Sequence, residues 1–489
     1  MGGPPQAMLT ARRDSPTKLG KQERTSKNNR RRAMADETAT LAAYVADLKF
    51  EDIPREVLER AKVLTLDFLG SAIRARRDAE STASLLKMLE ALALDGKGES
   101  TVFGDAKAWT PAVAALLNGA LGHSLDFDDT HADSSLHPSA PVVPAAFAVG
   151  ELVGASGRDV LTAIVAGYEV CCRLGNALDP TSHYARGFHP TATAGTYGAA
   201  AAAAKLFGLS KEQIIAAFGV SGSQAAGPLQ FLVNGGWNKR YQVGAAAMNG
   251  VIAATLARND FVGSSESVEG KHGLLAGYSD NAHPDKAVAG LGKTYETLKI
   301  GVKPYPSCRY THAAIDALIA MRREHNLTPD QIKRVEIGLH RNGITLTGDA
   351  ATKRHPTSIV GGQFSMFFTG AVALDQGRFG WDDYDRLGDA AVDALADKFD
   401  VVQDDRLEVG RSHPFGARVS ITTDDGVHER LHADPSGEPS SFPDAQAMQQ
   451  KFLTLARPVL QDRADRLADA ILTLERFDRV ATATHLGRQ

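Results

Sequence analysis

The chain of 489 residues has few cysteines, no excess of basic charge and no long apolar run. Its three cysteines, Cys171, Cys172 and Cys308, contain no CxxC pair, so they support neither a disulfide framework nor an iron–sulfur cluster and favour a reducing compartment. A formal net charge of -4 gives no electrostatic reason to expect a nucleic acid partner. No stretch has the unbroken apolar length of a membrane span, so no membrane partner is expected. With nucleic acid and membrane partners not expected, we predict a function in small-molecule chemistry.

Residues 1–33 differ in composition from the rest of the chain. They carry nine lysine or arginine residues against only Asp14 and Glu23, and they have few apolar side chains. This basic N-terminal extension is therefore predicted to be disordered. It lacks the apolar region of a secretory signal, and we interpret it as an upstream extension before a start at Met34, with a mitochondrial transit peptide as the alternative. The expected location is the cytoplasm, or the mitochondrion under that alternative.

The hydrophobic pattern changes once along the chain. Apolar residues recur at intervals of three and four from about residue 37 to 297 and again after residue 444, which predicts helices; one is expected over Pro111–Asp126. Between these regions Arg334–His340 alternates like a half-buried strand, Asp424-Asp425-Gly426 predicts a hairpin, and a further helix is expected over Asp383–Leu395. We therefore predict a mainly α fold. A large all-helical domain would be built from residues 34–298 and 440–489, with a smaller α+β lid domain inserted at residues 299–439.

The segment from Gly122 to Val142, GHSLDFDDTHADSSLHPSAPV, concentrates three histidines, four aspartates and one threonine between two apolar segments. If the preceding helix reaches Thr130, then Asp126, Asp129 and Thr130 share one face at spacings of three and four. His137 follows where the next helix should open. A helix cap needs one aspartate or serine, so the surplus of polar groups predicts a binding or catalytic site.

Three further segments carry more polar side chains than folding requires. His189 directly precedes an alanine-rich helix, whose N-terminus attracts anions, so we interpret it as an acid–base residue beside a bound carboxylate. Lys239 follows two glycines and can bind a carboxylate. Between Lys303 and His312 two prolines fix an extended backbone. The candidate binding residues on that rigid piece are Lys303, Cys308, Arg309 and His312.

In their order and spacing these segments resemble the MmgE/PrpD family over about residues 35–474. The stretches that carry the resemblance are HSLDFDDTH with HPSAPVVPA, RGFHPTATAGTYG, NKRYQVGAAAMNG, KPYPSC and QFSMFF. The family includes 2-methylcitrate dehydratases, cis-aconitate decarboxylases and iminodisuccinate epimerases. The resemblance implies a homodimer and chemistry on small di- or tricarboxylates that needs no cofactor.

The same resemblance assigns individual positions. The pocket residues of the family match Asp126, Thr130, His137, His189, Lys239 and Lys303. Three positions depart from the decarboxylases, because two histidines and a tyrosine of their pocket are replaced. The replacing residues are Cys308, Gln242, and Phe367 or Phe368. His312 lies one helical turn from Cys308 and is the residue expected to compensate.

Such a site suits the removal of a proton from the carbon α to a carboxylate. Lys239, Lys303 and Arg309 are the cations available to stabilise the negative charge that develops. A histidine has a pKa near neutral pH, so His137 and His189 are expected to be base and acid, in either order.

Asp126 would then orient one of these histidines, and Thr130 would bind a carboxylate or a hydroxyl. The expected reaction is a dehydration like that of 2-methylcitrate dehydratase. Epimerisation of a substituted succinate and decarboxylation of cis-aconitate are the alternative outcomes of the same proton chemistry.

Two other classes of function use the same residues differently. In the first, a divalent metal ion binds the acidic cluster and serves a metal-dependent hydrolase or a prenyl-transfer enzyme, although no second acidic motif completes the coordination. The cluster consists of Asp126, Asp128, Asp129, His131 and Asp133. In the second, a binding protein holds a carboxylate in the pocket without converting it.

Overall fold

Long helices follow the predicted periodicity in a computed structural model, which describes Gly2 and residues 36–408 and 415–489. The helices of ten or more residues in these ranges are α1 (Glu37–Asp47), α2 (Arg55–Asp78), α3 (Thr82–Ala91), α4 (Pro111–Gly122), α5 (Ser139–Val153), α6 (Gly157–Ala177), α7 (Pro190–Leu206), α8 (Lys211–Gln224), α9 (Asn238–Arg258), α10 (Arg309–Glu324), α11 (Met366–Gln376), α12 (Ala445–Leu460) and α13 (Arg463–Leu472). Shorter α-helices span Pro180–Ala185, Phe231–Asn234, Leu274–Tyr278, Arg341–Gly343, Ala350–Lys353, Ile359–Gln363, Ala390–Ala396 and Ala481–Thr484. Helices make up 61% of the structure and strands 8%, which confirms the mainly α fold.

The alanine-rich helix α7 lies at the centre of the helical core. Every residue from Pro190 to Ala204 is buried, and α7 packs against α5, α6 and α9. Its small side chains allow the neighbouring backbones to approach closely. As a result, His189 at the start of α7 and Lys239 at the start of α9 are held by one rigid helix pair.

The two ends of the described chain meet on helix α2. Helices α12 and α13, close to the C-terminus, both pack against α2. Residues 37–489 form a single compact unit, so the predicted domain boundaries at residues 298/299 and 439/440 stay a prediction. The predicted disorder of residues 1–33 concerns positions that, apart from Gly2, lie outside the described residues.

A four-stranded sheet lies between helices α10 and α12 in the sequence. Its strands are β1 (Arg334–Leu339), β2 (Phe399–Gln403), β3 (Ala417–Thr423) and β4 (Gly426–His432), in the order β2-β1-β3-β4. Strands β1 and β2 are parallel, and the other two pairs are antiparallel. Thr423 pairs with Gly426, which confirms the predicted hairpin.

Two shorter ladders occur among the helices. Ser100–Thr101 pairs with Ala108–Trp109, and Thr130–His131 pairs with Ile300–Gly301. The second ladder joins the polar segment after α4 to the chain just before Lys303. No helix in the described ranges is both long and apolar enough to cross a membrane, and the three cysteines are buried free thiols.

Two predicted helices were wrong in extent. Helix α4 ends at Gly122 instead of continuing to Asp126, because Asp126 has a φ of +52°, in the left-handed region that an α-helix cannot include. The segment Asp383–Leu395 is two pieces, a 3-10 helix over Trp381–Arg386 and the α-helix Ala390–Ala396. Gly388, with a φ of +76°, interrupts it.

The close approach of α7 and α9 predicts a stability effect at Gly250. A Cβ at this position would lie 2.4 Å from the Cβ of Ala199 and 2.5 Å from the backbone nitrogen of Ala200. Gly250→Ala should therefore lower the free energy of unfolding by about 1–3 kcal/mol, as overpacking does. Denaturant titration measures the change, with Gly277→Ala as the control because a Cβ there meets nothing within 4 Å. Equal stability of the two variants would contradict this account of the core.

Candidate active site

The segment between helices α4 and α5 brings most of the predicted site residues together. Its ladder with Ile300–Gly301 places Thr130 opposite Gly301. Continuing that antiparallel register carries Lys303 back toward the residues that precede Thr130. Lys239 comes to the same place from the first turn of α9, and His189 from the N-terminal end of α7.

One buried carboxylate is shared by two ammonium groups. Lys239 Nζ donates to Asp126 Oδ1 at 2.6 Å, and Lys303 Nζ lies 3.1 Å from Asp126 Oδ2. Lys303 Nζ also donates to the main-chain oxygen of Asp126 at 3.0 Å. The left-handed backbone of Asp126 is thus held by contacts from two distant segments of the chain.

Mutual attraction keeps these groups charged in spite of burial. Burial alone would raise the pKa of Asp126, but Lys239 and Lys303 outweigh it and hold that pKa well below its ordinary value. Burial would likewise lower the pKa of Lys239, but Asp126 outweighs it and raises that pKa. The cluster of Asp126, Lys239 and Lys303 therefore holds two cations and one anion.

Three histidine rings stack beside this cluster. The ring centroids of His123 and His137 are 5.0 Å apart, edge to face, and those of His123 and His189 are 5.7 Å apart, stacked. His123 lies between the other two and is completely buried, with 1% exposure. His137 and His189, predicted from separate segments, are therefore parts of one group.

The hydrogen bonds of His123 and His137 fix their tautomers. His137 Nδ1 lies 2.6 Å from the carbonyl oxygen of Asp129, which can only accept, so Nδ1 carries the hydrogen and Nε2 holds the lone pair. His123 Nδ1 lies 2.6 Å from Asp128 Oδ2, and its buried Nε2 has no hydrogen-bond partner. His189 Nδ1 is also buried without a partner. These nitrogens are available to a molecule bound beside the rings.

The histidines are uncharged at neutral pH. Burial lowers the pKa of His137 to about 3, with Asp128 opposing the shift and Lys303 adding to it. Burial also lowers the pKa of His123, against the attraction of Asp128. For His189, burial and then the neighbouring His123 and Lys239 bring the pKa well below its ordinary value. A neutral ring with a free lone pair can accept a proton.

Thr130 and Cys308 lie at the edge of the site. Thr130 Oγ1 is 3.4 Å from His137 Nδ1, and its residue is half-buried. Burial, with a contribution from Asp126, raises the pKa of the Cys308 thiol to about 11. Cys308 is therefore an uncharged group close enough to interact electrostatically with Asp126.

Arg309 and His312 make contacts with each other and with neighbouring segments, and their binding role stays a prediction. Arg309 forms an ion pair with Glu438 and donates to the main-chain oxygen of Val302 at 3.2 Å. It also lies 3.1 Å from His312 Nδ1, while His312 Nε2 lies 3.1 Å from the main-chain oxygen of Ser307. Both ring nitrogens of His312 have partners, and Lys303 and Asp126 lie close enough to act on its pKa, which burial brings well below its ordinary value.

The other positions that depart from the family pattern differ in their surroundings. Gln242 on α9 donates to the main-chain oxygen of Pro228 at 2.8 Å and lies beside His189. Phe367 and Phe368 are core residues. The phenol of Tyr384 nevertheless lies near the site. Burial raises its pKa, and Asp126 is close enough to add to that shift.

The acidic cluster proposed as a metal site is dispersed. Asp126 pairs with lysines, Asp128 with His123, and Asp129 accepts from Ser139 at 2.5 Å. In the described ranges one group has metal-compatible spacing, namely His131, Asp133 and Glu296. There Lys299 Nζ already lies 3.0 Å from Glu296 and 3.9 Å from Asp133. Lysines thus already pair with Asp126 and with Glu296, and a metal ion at His131, Asp133 and Glu296 would have to compete with the ammonium group of Lys299.

Sequence reasoning gave no role to His123 and none beyond metal binding to Asp128. Burial would raise the pKa of Asp128, but its contacts with His123 and His137, which include the hydrogen bond from His123 Nδ1, outweigh burial and bring that pKa well down. Asp128 thus stays anionic between two histidines of the site. The sequence places His123 and Asp128 five residues apart. Because the conformation of the loop between them could not be predicted, this spacing did not indicate that the two side chains are in contact.

Comparisons with known proteins cover most of the chain. The MmgE/PrpD N-terminal domain model matches residues 39–287, and the C-terminal domain model matches residues 305–476. The cis-aconitate decarboxylase-like protein oryM of Aspergillus oryzae is 31% identical over 90% of this chain and 94% of its own length. Cis-aconitate decarboxylase of Aspergillus terreus is 28% identical over 92% of this chain and 95% of its own length. The human cis-aconitate decarboxylase is 30% identical over 61% of this chain and 63% of its own length.

The low pKa of His137 predicts a pH dependence of stability. In the unfolded chain a histidine titrates near about 6.5, whereas folded His137 stays neutral down to about 3. As the pH falls below about 6.5, the unfolded chain binds a proton that the folded chain does not, so stability present above that pH is progressively lost, by up to about 1.4 kcal/mol per unit.

His137→Gln should therefore lose less stability than the wild type between pH 7.5 and pH 4.5. Denaturant titration at the two pH values measures this difference, and the pH 7.5 values alone give the packing cost of the substitution. An identical loss in both proteins would show that His137 is not held neutral.

Proposed function

The chain belongs to the MmgE/PrpD family and is an enzyme of the lyase type, and from this premise we propose that it releases carbon dioxide from a small unsaturated tricarboxylate of the cis-aconitate class. One observation carries the proposal: neutral histidines lie beside a buried cluster in which two lysines share one aspartate. The near full-length similarity to cis-aconitate decarboxylases and a decarboxylase-like protein supports it. The cytoplasmic location and the homodimer stay predictions.

The charges of the cluster suit a substrate with several carboxylates. Asp126 neutralises one of the two ammonium groups, which leaves one positive charge for a substrate carboxylate. Release of carbon dioxide breaks a carbon–carbon bond and leaves its electron pair on the substrate carbon, conjugated with a remaining carboxylate. Lys239 and Lys303 stabilise this charge, and they do so strongly because the site is buried.

A histidine completes the reaction by giving that carbon a proton. Burial, and after it the positive charge of neighbouring lysines, depresses the pKa of His137 and His189. An anionic substrate bound beside the lysines offsets the part that their charge contributes. A histidine can then take a proton from solvent before the carbon–carbon bond breaks. We assign this transfer to His137 Nε2, because the other nitrogen of the ring is held by Asp129, and place His189 on the opposite side of the stack.

Dehydration of a hydroxytricarboxylate such as 2-methylcitrate is the second candidate. By the family resemblance, Cys308 and Gln242 replace histidines of the decarboxylase pocket. A thiol with a pKa raised to about 11 by burial and a neutral amide do not supply the proton transfers of those histidines. Loss of hydroxide after proton removal would need only the base and acid that remain.

A substrate panel separates the two candidates. Purified protein is incubated with cis-aconitate, citrate, 2-methylcitrate and substituted succinates, while released carbon dioxide and the proton NMR spectrum of the products are recorded. Carbon dioxide formed from cis-aconitate is the expected result. Loss of water from 2-methylcitrate without carbon dioxide would favour the second candidate, and no conversion of any compound would overturn both.

His137→Gln and His189→Gln should each lower kcat by about a hundredfold or more, the size of a general acid–base contribution. Steady-state kinetics on the accepted substrate measure the loss. His272→Gln replaces an exposed histidine and should leave kcat unchanged. Near-normal turnover in either site variant would remove that histidine from the mechanism.

Lys239→Met should weaken substrate binding, and the loss should be larger for a tricarboxylate than for a dicarboxylate, because a buried anion without its partner is costly. Values of KM for the two classes measure the difference. Lys211→Met, which removes an exposed ammonium group at the start of α8, is the control. An equal change for both classes would place the binding charge elsewhere.

A further inference from the structure

We propose that Lys451, on the C-terminal helix α12, is a positioning residue that holds the two segments carrying Asp126 and Lys303 in register. The inference deepens the proposed function and rests on it for the activity readout. Lys451 belongs to a part of the chain that neither the sequence motifs nor the site described above include.

The ammonium group of Lys451 contacts both of these segments. Lys451 Nζ donates to the main-chain oxygen of Phe127 at 3.0 Å and to that of Lys303 at 2.8 Å. It also lies 3.8 Å from the centre of the Phe127 ring, within the range of a cation–π contact. The residues directly after Asp126 and at Lys303 itself are therefore tied to the same point.

A buried aspartate holds Lys451 in place. Asp67 Oδ1 on helix α2 lies 2.6 Å from Lys451 Nζ, and the Asp67 side chain is fully buried while that of Lys451 is 12% exposed. Helix α12 packs on α2, so the pair sits between two long helices. Burial raises the pKa of Asp67 and lowers that of Lys451, each against the attraction of the other.

The contacts form a continuous path from the core to the site. Asp67 binds Lys451, Lys451 binds the carbonyl oxygens of Phe127 and Lys303, and Lys303 Nζ binds Asp126. Without Lys451, two buried carbonyl groups lose a charged donor, and the separation between Asp126 and Lys303 is no longer set by a shared contact. Lys451 does not touch the histidines, so its effect on the reaction passes through Asp126 and Lys303.

The test compares three variants. Lys451→Met removes the ammonium group but leaves Asp67 buried and unpaired, which is destabilising in itself. The double variant Asp67→Asn with Lys451→Met removes that unpaired charge. Lys62→Met is the matched control, because Lys62 is also a buried lysine of the α2 region, 3.2 Å from Glu475 and 3.1 Å from Glu59, and none of its contacts reaches the site.

Two measurements follow each variant, with thermal unfolding recorded to compare stabilities. The first is the affinity for propane-1,2,3-tricarboxylate, a saturated tricarboxylate, together with kcat on the accepted substrate. Lys451→Met and the double variant should both lose at least tenfold in affinity and in kcat, while Lys62→Met stays within twofold of the wild type. Recovery of both values in the double variant would show that Lys451 only neutralises Asp67 and would overturn the proposal.

The second measurement does not depend on the reaction, so it separates failure of this inference from failure of the proposed function. In a crystal structure of the double variant, or of Lys451→Met if the double variant does not crystallise, Lys303 Nζ should lie more than 4 Å from Asp126. The wild-type protein should show the contact of 3.1 Å. An unchanged contact in the variant would overturn the positioning role, whatever the substrate is.

Discussion

The site depends on one interaction, the sharing of the Asp126 carboxylate by Lys239 and Lys303. A buried carboxylate without a partner is unfavourable, and two buried ammonium groups would repel each other without the carboxylate between them. The three groups come from the loop after α4, the first turn of α9 and the segment after Gly301, so their attraction fixes where these segments meet. It also fixes the side chain of Asp126, a residue whose left-handed backbone conformation cannot belong to an α-helix.

The histidines are governed by the same electrostatics. Burial disfavours their charged forms, and the positive charge of the lysines adds to that effect. The three neutral rings can therefore accept protons, but they stay unprotonated at neutral pH while no anion is bound beside them. Asp128 accepts a hydrogen bond from His123 and limits how far the pKa values of His123 and His137 fall.

Much of the fold could be predicted from the sequence because helical periodicity and turn residues are local signals. The helices around the alanine-rich α7 and the hairpin at Asp424-Asp425-Gly426 follow directly from such patterns. The extent of α4 could not be predicted, because the helical spacing of Leu121 and Leu125 continues past its end at Gly122 and no local pattern gives Asp126 its positive φ. The break near Gly388 was missed because an apolar spacing continued across a residue with positive φ.

Site residues could be predicted where the sequence has more polar side chains than caps and turns need. The structure brings the residues predicted in this way together, and their roles stay predictions. They are Asp126, His137, His189, Lys239 and Lys303. Arg309 and His312 looked equally suitable as binding residues. In the structure they contact each other, and Arg309 also pairs with Glu438, a distant residue that no local pattern indicates. Lys451 is the opposite case, since a lone lysine on an amphipathic helix reads as a surface residue until its three acceptors are known.

Under the proposed function, this chain moves a proton at a substrate carbon using its own histidines. Deuterium incorporation from D2O is the test, measured during conversion of cis-aconitate by protein freed of metal ions with a chelator. We expect sustained turnover and one deuterium bound to carbon in each product molecule. Loss of turnover on chelation, or product without deuterium at carbon, would contradict the proposal.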